Sequence, residues 1–195
     1  LLAFFFYIKS KEFQKYKFIY LALFFSWLGD IFLMFPRQEY DESTKKLLFV
    51  FGLVSFLIAH VNYIISFIKE IHPNNKVSVL IEKPYLVIPF LVYLIVLLRF
   101  LFPHLGAMKL PVSVYGICIT LMLLFAFNRK NIVNDKSFYY VLFGATLFII
   151  SDSLIAMNVF YQKMEWHRMV IMLTYTIAQA FIILGVLENK KVSEV

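Results

Sequence analysis

Six apolar stretches govern what this chain can become, each close to the ~20 residues that a helix needs to cross a bilayer. They run Phe18 to Phe35, Leu47 to Ile68, Pro84 to Phe102, Leu110 to Phe127, Phe138 to Phe160 and Val170 to Leu187. A hydrocarbon interior offers no water to unpaired backbone groups, so each stretch must satisfy its own N–H and C=O groups as a helix. The expected fold class is therefore all-α, a polytopic transmembrane helix bundle forming one integral-membrane domain over residues 1–195. The composition agrees: 62% of the residues are hydrophobic and 16% charged, against ~45–50% and ~25% in soluble domains. Leu1 to Ile8 is apolar but too short to span, and no initiating Met precedes it. It reads as the end of a preceding helix, giving six full helices plus a remnant in an N-terminally truncated chain. Pro36, Pro73, Pro84, Pro103 and Pro111 mark helix ends or starts.

The net charge of +7 would suggest nucleic acid in a soluble protein. Here the basic residues lie in short loops, so they point to the membrane surface and no nucleic-acid partner is expected. Of the 19 Lys and Arg, 12 fall on one side of the expected topology: Lys9 to Lys17, Lys69 to Lys83, Arg129 to Lys136, and Lys190 with Lys191. The other 7 lie in the intervening loops. The positive-inside rule places the larger set in the cytoplasm. A bacterial inner membrane with a cytoplasmic C-terminus is the expected location. Cys118 is the single cysteine and lies in an apolar stretch, so it reads as a buried structural thiol.

Two aspartates interrupt these spans: Asp30 in SWLGDIFLMF and Asp152 in LFIISDSLIAMNVF. A carboxyl at membrane depth costs several kcal/mol unless it faces a protein interior, which makes both functional candidates. At ~1.5 Å per residue, Asp30 lies roughly 9 Å and Asp152 roughly 12 Å from the outer ends of their helices. Tyr175 and Gln179 are one turn apart on the last helix and enter the same layer, while His60 and Tyr63 share a face of the second. A single polar cavity opening toward the outer leaflet would collect them, with Asp30 and Asp152 as catalytic groups. His60, Tyr63, Ser151, Tyr175 and Gln179 are the expected substrate-binding residues. Simpler roles stand beside these: a packing histidine, interfacial tyrosines, and interhelical hydrogen bonds for Ser26, Ser151, Ser153 and Asn158, the reading favoured for Ser153. Gly29, Gly144 and Ala145 suit close helix approach.

Several chemistries fail on residue type. A zinc site needs three or four converging ligands, and only His60 among the four histidines lies deep in a span, so no metal and no cofactor is expected. There is no G-x-S-x-G motif and no phosphate-cradling glycine loop. Two carboxyls in a low dielectric remain, and close like charges rarely both ionise there. One can deliver a proton while the other activates water or stabilises a cation, as in glycosidases. A lipid or small-solute transporter using the carboxyls as a proton relay is the alternative, and a structural or sensory role for the pair a third.

The blocks SWLGDIFLM, FGLVSFLIAHVNY, GATLFIISDSLIAMNVF and YTIAQ occur in this order and resemble the YhhN/TMEM86 family of membrane lysoplasmalogenases. Pro111, Val112, Tyr115 and Met122 fit the same pattern, and the run from Ser151 to Phe160 is its most specific part. The resemblance implies an eight-helix family from which this chain lacks the first helix and most of the second. It also implies hydrolysis of the vinyl-ether bond of a lysophospholipid substrate to a fatty aldehyde and a glycerophospho-alcohol. Membrane lipids would be its surroundings, and its oligomeric state is not implied.

Overall fold

A computed structural model describes residues 13–34, 40–71, 77–163 and 167–193. Leu1 to Ile8, Pro36, His72 and Pro73 lie outside the described residues. Six long helices account for nearly all of the rest: α1 (Phe13–Met34), α2 (Glu42–Ile71), α3 (Ile88–Leu101), α4 (Lys109–Asn128), α5 (Asp135–Phe160) and α6 (His167–Ser193). No strand occurs among the described residues. Each expected apolar stretch becomes one of these helices, or a helix with its flanking turns. All six segments are long and apolar enough to cross a membrane, so the chain is an integral membrane protein.

Hydropathy locates the helices but misplaces their ends. α2 has 30 residues, about 45 Å at 1.5 Å per residue, so its polar first turns extend past a ~30 Å hydrocarbon layer. α5 begins at Asp135, before the apolar run, because the Asn134 side chain accepts a hydrogen bond from the Ser137 N–H at 2.9 Å. Such a cap satisfies a donor that the helix leaves orphaned. α3 is the opposite case. Its 14 α-helical residues reach only about 21 Å, and 3₁₀ turns at Pro84–Val87 and Phe102–His104 supply the remaining length, with Pro84 and Pro103 seated in those turns.

α5 lies along α6 and α1 along α2, while α4 joins the two pairs by packing on α2 and α5. The core between them contains Ile19, Ala22, Phe56, Tyr63, Phe67, Ile119, Met122, Val141, Phe148, Ile182 and Ile183. Small residues set the α5–α6 spacing. A Cβ on Gly144 would stand 2.7 Å from the Ala178 carbonyl oxygen, and one on Gly185 would meet Val141 and the Ser137 carbonyl. Without a hydrophobic driving force between helices in lipid, such close backbone approach is what holds them. Gly29 plays a similar part, its open side filled by the Phe56 ring. α3 is peripheral: only 6% of its apolar window is buried, against 33–44% for the other spans. It touches α4 and the edge of α5.

The end of the bundle that carries the α4–α5 turn is fastened by Arg129. Its side chain is fully buried and its Nε lies 2.7 Å from Glu70 Oε2 on α2. It also donates to the Ser137 hydroxyl at 2.8 Å and carbonyl at 3.4 Å, and stands over the Phe67 ring. Asn189 on α6 donates to the other oxygen of Glu70 at 3.4 Å. Counted from sequence as one more basic loop residue, Arg129 instead ties α2, α5 and the α4–α5 turn together, its charge matched by Glu70.

Candidate active site

Asp30 lies four residues before the end of α1, Asp152 eight before the end of α5, and Tyr175 eight after the start of α6. Successive helices reverse direction across short loops, so all three fall toward the same end of the bundle, opposite the Arg129 clasp.

Asp30 is the half-buried terminus of a hydrogen-bond network built by α6. Tyr175 donates its hydroxyl to Asp30 Oδ2 at 3.0 Å. One turn further along, Gln179 is 2% exposed and uses both ends of its amide. Its oxygen accepts from the Tyr63 hydroxyl on α2, and its nitrogen donates to Ser26 Oγ on α1 at 3.0 Å and to the Tyr175 hydroxyl at 3.4 Å. The one-turn spacing of Tyr175 and Gln179 puts both on the face that meets α1 and α2. Three helices thus converge on one amide, which in lipid has no water to fall back on.

Asp152 is held from the other side. Tyr115 on α4 donates its hydroxyl to Asp152 Oδ2, and His60 Nε2 on α2 lies 3.9 Å from the same oxygen. The carboxyl is nearly enclosed, with 9% of the side chain exposed, and His60 is fully buried. The imidazole stands edge-on to Tyr115 and Phe148, with ring centroids at 5.4 Å and 4.8 Å. Among the described residues, neither of its ring nitrogens has a hydrogen-bond partner. An unsatisfied buried group costs ~1–3 kcal/mol, and such groups call for a functional explanation.

Two apolar pockets meet at Asp152. One, between α1, α2, α4 and α5, is walled by Leu33, Phe49, Leu53, Phe56, Val112, Ile155, Ala156 and Phe160, with Asp152 and Tyr115 as its polar groups. Its cavity volume is about 50 Å³, and one side opens to the outside. The second lies beneath α3, where Tyr93 and Ser153 share a 2.6 Å hydrogen bond beside Asp152. Asp30 is not among the residues lining either pocket. Its half of the site adjoins the first pocket through Phe56, whose ring stands edge-on to Tyr175 at 5.8 Å. Phe148 likewise joins the halves, contacting Tyr175 at 5.4 Å as well as His60.

The model of the YhhN family matches residues 1–186. The chain belongs to the YhhN family. Among the relatives of this YhhN protein is the lysoplasmalogenase TMEM86B of Rattus norvegicus, 29% identical over 169 residues that make up 86% of this chain and 60% of the rat protein. The lysoplasmalogenases TMEM86A of Bos taurus and Homo sapiens are 31% and 32% identical over 177 residues, 89% of this chain and 66% of each. The chain thus spans less than two thirds of these relatives' length. No solved structure matches it.

Of the residues singled out from the YhhN protein's sequence, Asp30, Tyr63, Tyr175 and Gln179 form one network, and His60 stands beside Asp152. Ser151 points elsewhere: it is fully buried and donates to the Ile171 carbonyl at 3.2 Å, bridging α5 to α6. Ser153 also bonds within its helix, to the Ile149 carbonyl at 2.6 Å. Tyr115 is the residue that the site reading missed. Its signal was depth: six residues after Lys109 at the start of α4, it sits about 9 Å in, level with Asp152. Ser26, read as an interhelical bond, turns out to be the α1 partner of Gln179. Among the described residues, no three His, Cys, Asp or Glu side chains converge as metal ligands would.

Proposed function

We propose that this YhhN protein hydrolyses the vinyl-ether bond of lysoplasmalogens, releasing a fatty aldehyde and a glycerophospho-alcohol such as glycerophosphoethanolamine or glycerophosphocholine. Asp30 and Asp152 act as its acid–base pair. The observation that carries the reading is the arrangement of two intramembrane carboxyls at one end of the bundle, each accepting a tyrosine hydroxyl. One of them is on the wall of an apolar pocket. The names of the matched relatives, all lysoplasmalogenases, supply the substrate class.

The chemistry suits these groups. A vinyl ether hydrolyses when a proton adds to the vinyl carbon β to the ether oxygen, the double-bond electrons forming the new C–H bond while the ether oxygen stabilises the cation as an oxocarbenium ion. Water adds to the cationic carbon and yields a proton to the second carboxyl, giving a hemiacetal. Collapse breaks the bond to the glycerol oxygen, which takes that proton back, and the first carboxyl recovers its own from the hemiacetal hydroxyl. A carboxylate in a water-poor site stabilises the passing positive charge more strongly than it would in bulk water. Tyr175, Gln179 and Tyr63 orient Asp30, Tyr115 orients Asp152, and the apolar pocket takes the alkenyl chain of a single-chain amphiphile.

With the more basic loops in the cytoplasm, the site lies in the outer half of the membrane and the C-terminus inside. A reporter enzyme fused to the C-terminus that is active only outside would reverse this placement. The catalytic reading is tested by incubating purified protein with alkenyl-lysophosphoethanolamine and measuring fatty aldehyde. Aldehyde should form from the vinyl ether and not from the saturated ether or the acyl ester of the same head group. Cleavage of the acyl ester at a comparable rate, or no aldehyde, would overturn it.

A further inference from the structure

We propose that His60 and Asp152 together hold and activate the attacking water, and that Asp30 is the proton donor to carbon. This division of labour rests on the vinyl-ether reading above.

The two carboxyls are not equivalent. Among the described residues, Asp30 has one close partner, the Tyr175 hydroxyl at 3.0 Å, itself braced by Gln179. Asp152 accepts from Tyr115 and also faces an imidazole. That imidazole is fully buried, with neither nitrogen hydrogen-bonded among the described residues, and the flanking Tyr115 and Phe148 rings restrict how it can turn. The 3.9 Å from His60 Nε2 to Asp152 Oδ2 exceeds a direct hydrogen bond. It suits two groups that each reach the same small oxygen at about 2.8 Å. A carboxylate accepts one proton of that water, and an imidazole nitrogen gives it a second fixed hydrogen bond. Asp152 is also on the wall of the pocket assigned to the substrate chain, so a water held there would face the bound ether. With water activation assigned to Asp152, the carbon proton falls to Asp30, whose partner Tyr175 adjoins the first pocket through the Phe56 ring. His60 thereby becomes a catalytic residue, and Tyr115 and Tyr175 are positioning residues.

The assignment makes the two half-reactions separable. If Asp30 protonates carbon first, a variant lacking the water-activating side still forms the oxocarbenium ion. That ion then reverts by returning a proton from the same carbon to the Asp30 carboxylate. In D₂O the recovered substrate would carry deuterium at that vinyl carbon, which mass spectrometry detects. His60→Gln and Asp152→Asn should each lower kcat by about 10²-fold or more with KM little changed, and both should enrich the recovered substrate in deuterium. Asp30→Asn should release no aldehyde and take up no deuterium. Asp152→Asn keeps the shape of its side chain and carries the same readout if His60→Gln fails to fold.

Wild-type turnover in a folded His60→Gln variant would overturn the role of His60. Deuterium uptake by Asp30→Asn and not by Asp152→Asn would overturn the assignment by reversing it. A wild-type protein that releases no aldehyde would instead remove the vinyl-ether reading itself, so the two failures are told apart.

Discussion

Replacing Tyr115 with Phe removes one hydroxyl and almost nothing else. The ring still stands edge-on to His60 at a centroid distance of 5.4 Å and still walls both pockets. What is lost is the donor to Asp152. Nothing from bulk solvent readily replaces it, because only 9% of the Asp152 side chain is exposed and His60 Nε2 stays 3.9 Å away. A hydrogen bond to a charged group contributes ~1.5–3 kcal/mol. At ~1.36 kcal/mol per tenfold in rate, a Tyr115→Phe variant should lose about 10- to 150-fold in kcat for aldehyde release. Thermal unfolding in detergent should change far less, since interhelical hydrogen bonds in membranes average only ~0.6 kcal/mol toward folding. The expected signature is thus a kcat defect in a protein that melts close to wild type. Activity within twofold of wild type in a folded Tyr115→Phe protein would refute the claim that this hydroxyl sets the Asp152 carboxyl for chemistry. A large loss of stability with proportionate loss of activity would refute the claim that its role is local.

Gln179→Leu should cost more stability than Tyr115→Phe, roughly 2 kcal/mol for three bonds at membrane values, because the Tyr63 and Ser26 hydroxyls and Tyr175 all lose the same partner; the unfolding transition reports it. Arg129→Met should destabilise by ~3–5 kcal/mol by stranding Glu70, and a double variant that also carries Glu70→Met should be more stable than Arg129→Met alone. Activity should survive prolonged treatment with a strong chelator, since the one deep histidine has a single carboxylate beside it. Restoration of a lost activity by added zinc would make Asp30, His60 and Asp152 ligands instead.

The bundle was legible because lipid leaves so few ways to satisfy a backbone: six apolar stretches could only be six helices. Their ends were less so, because hydropathy marks the hydrocarbon layer and not the helix. The polar start of α2 and the cap at Asn134 lie where the apolar signal has already faded. The candidate site was partly visible for a different reason. Asp30 and Asp152 stand out in apolar surroundings, and the spacing of Tyr175 and Gln179 fixes them to one face. Tyr115 fits the family pattern but did not stand out as a site residue, being one of 12 tyrosines, and its depth relative to Asp152 is what separates it from an interfacial anchor. Arg129 was misjudged because counting loop charges ignores partners. Glu70 lies 59 positions earlier in the chain, and only folding reveals the pair. The empty hydrogen-bonding positions of His60 belong to the same class, since they depend on the Tyr115 and Phe148 rings that flank it.

The central claim is that two intramembrane aspartates perform the reaction, and turnover by Asp30→Asn and Asp152→Asn tests it most directly. Each substitution preserves shape and removes the titratable carboxyl. Purified in the same detergent and verified by thermal unfolding, both variants should be folded, with aldehyde release from alkenyl-lysophosphoethanolamine reduced by ~10²–10⁴-fold, as for loss of an essential proton-transfer group. A folded variant of either kind that retains more than about a tenth of wild-type turnover would contradict the account.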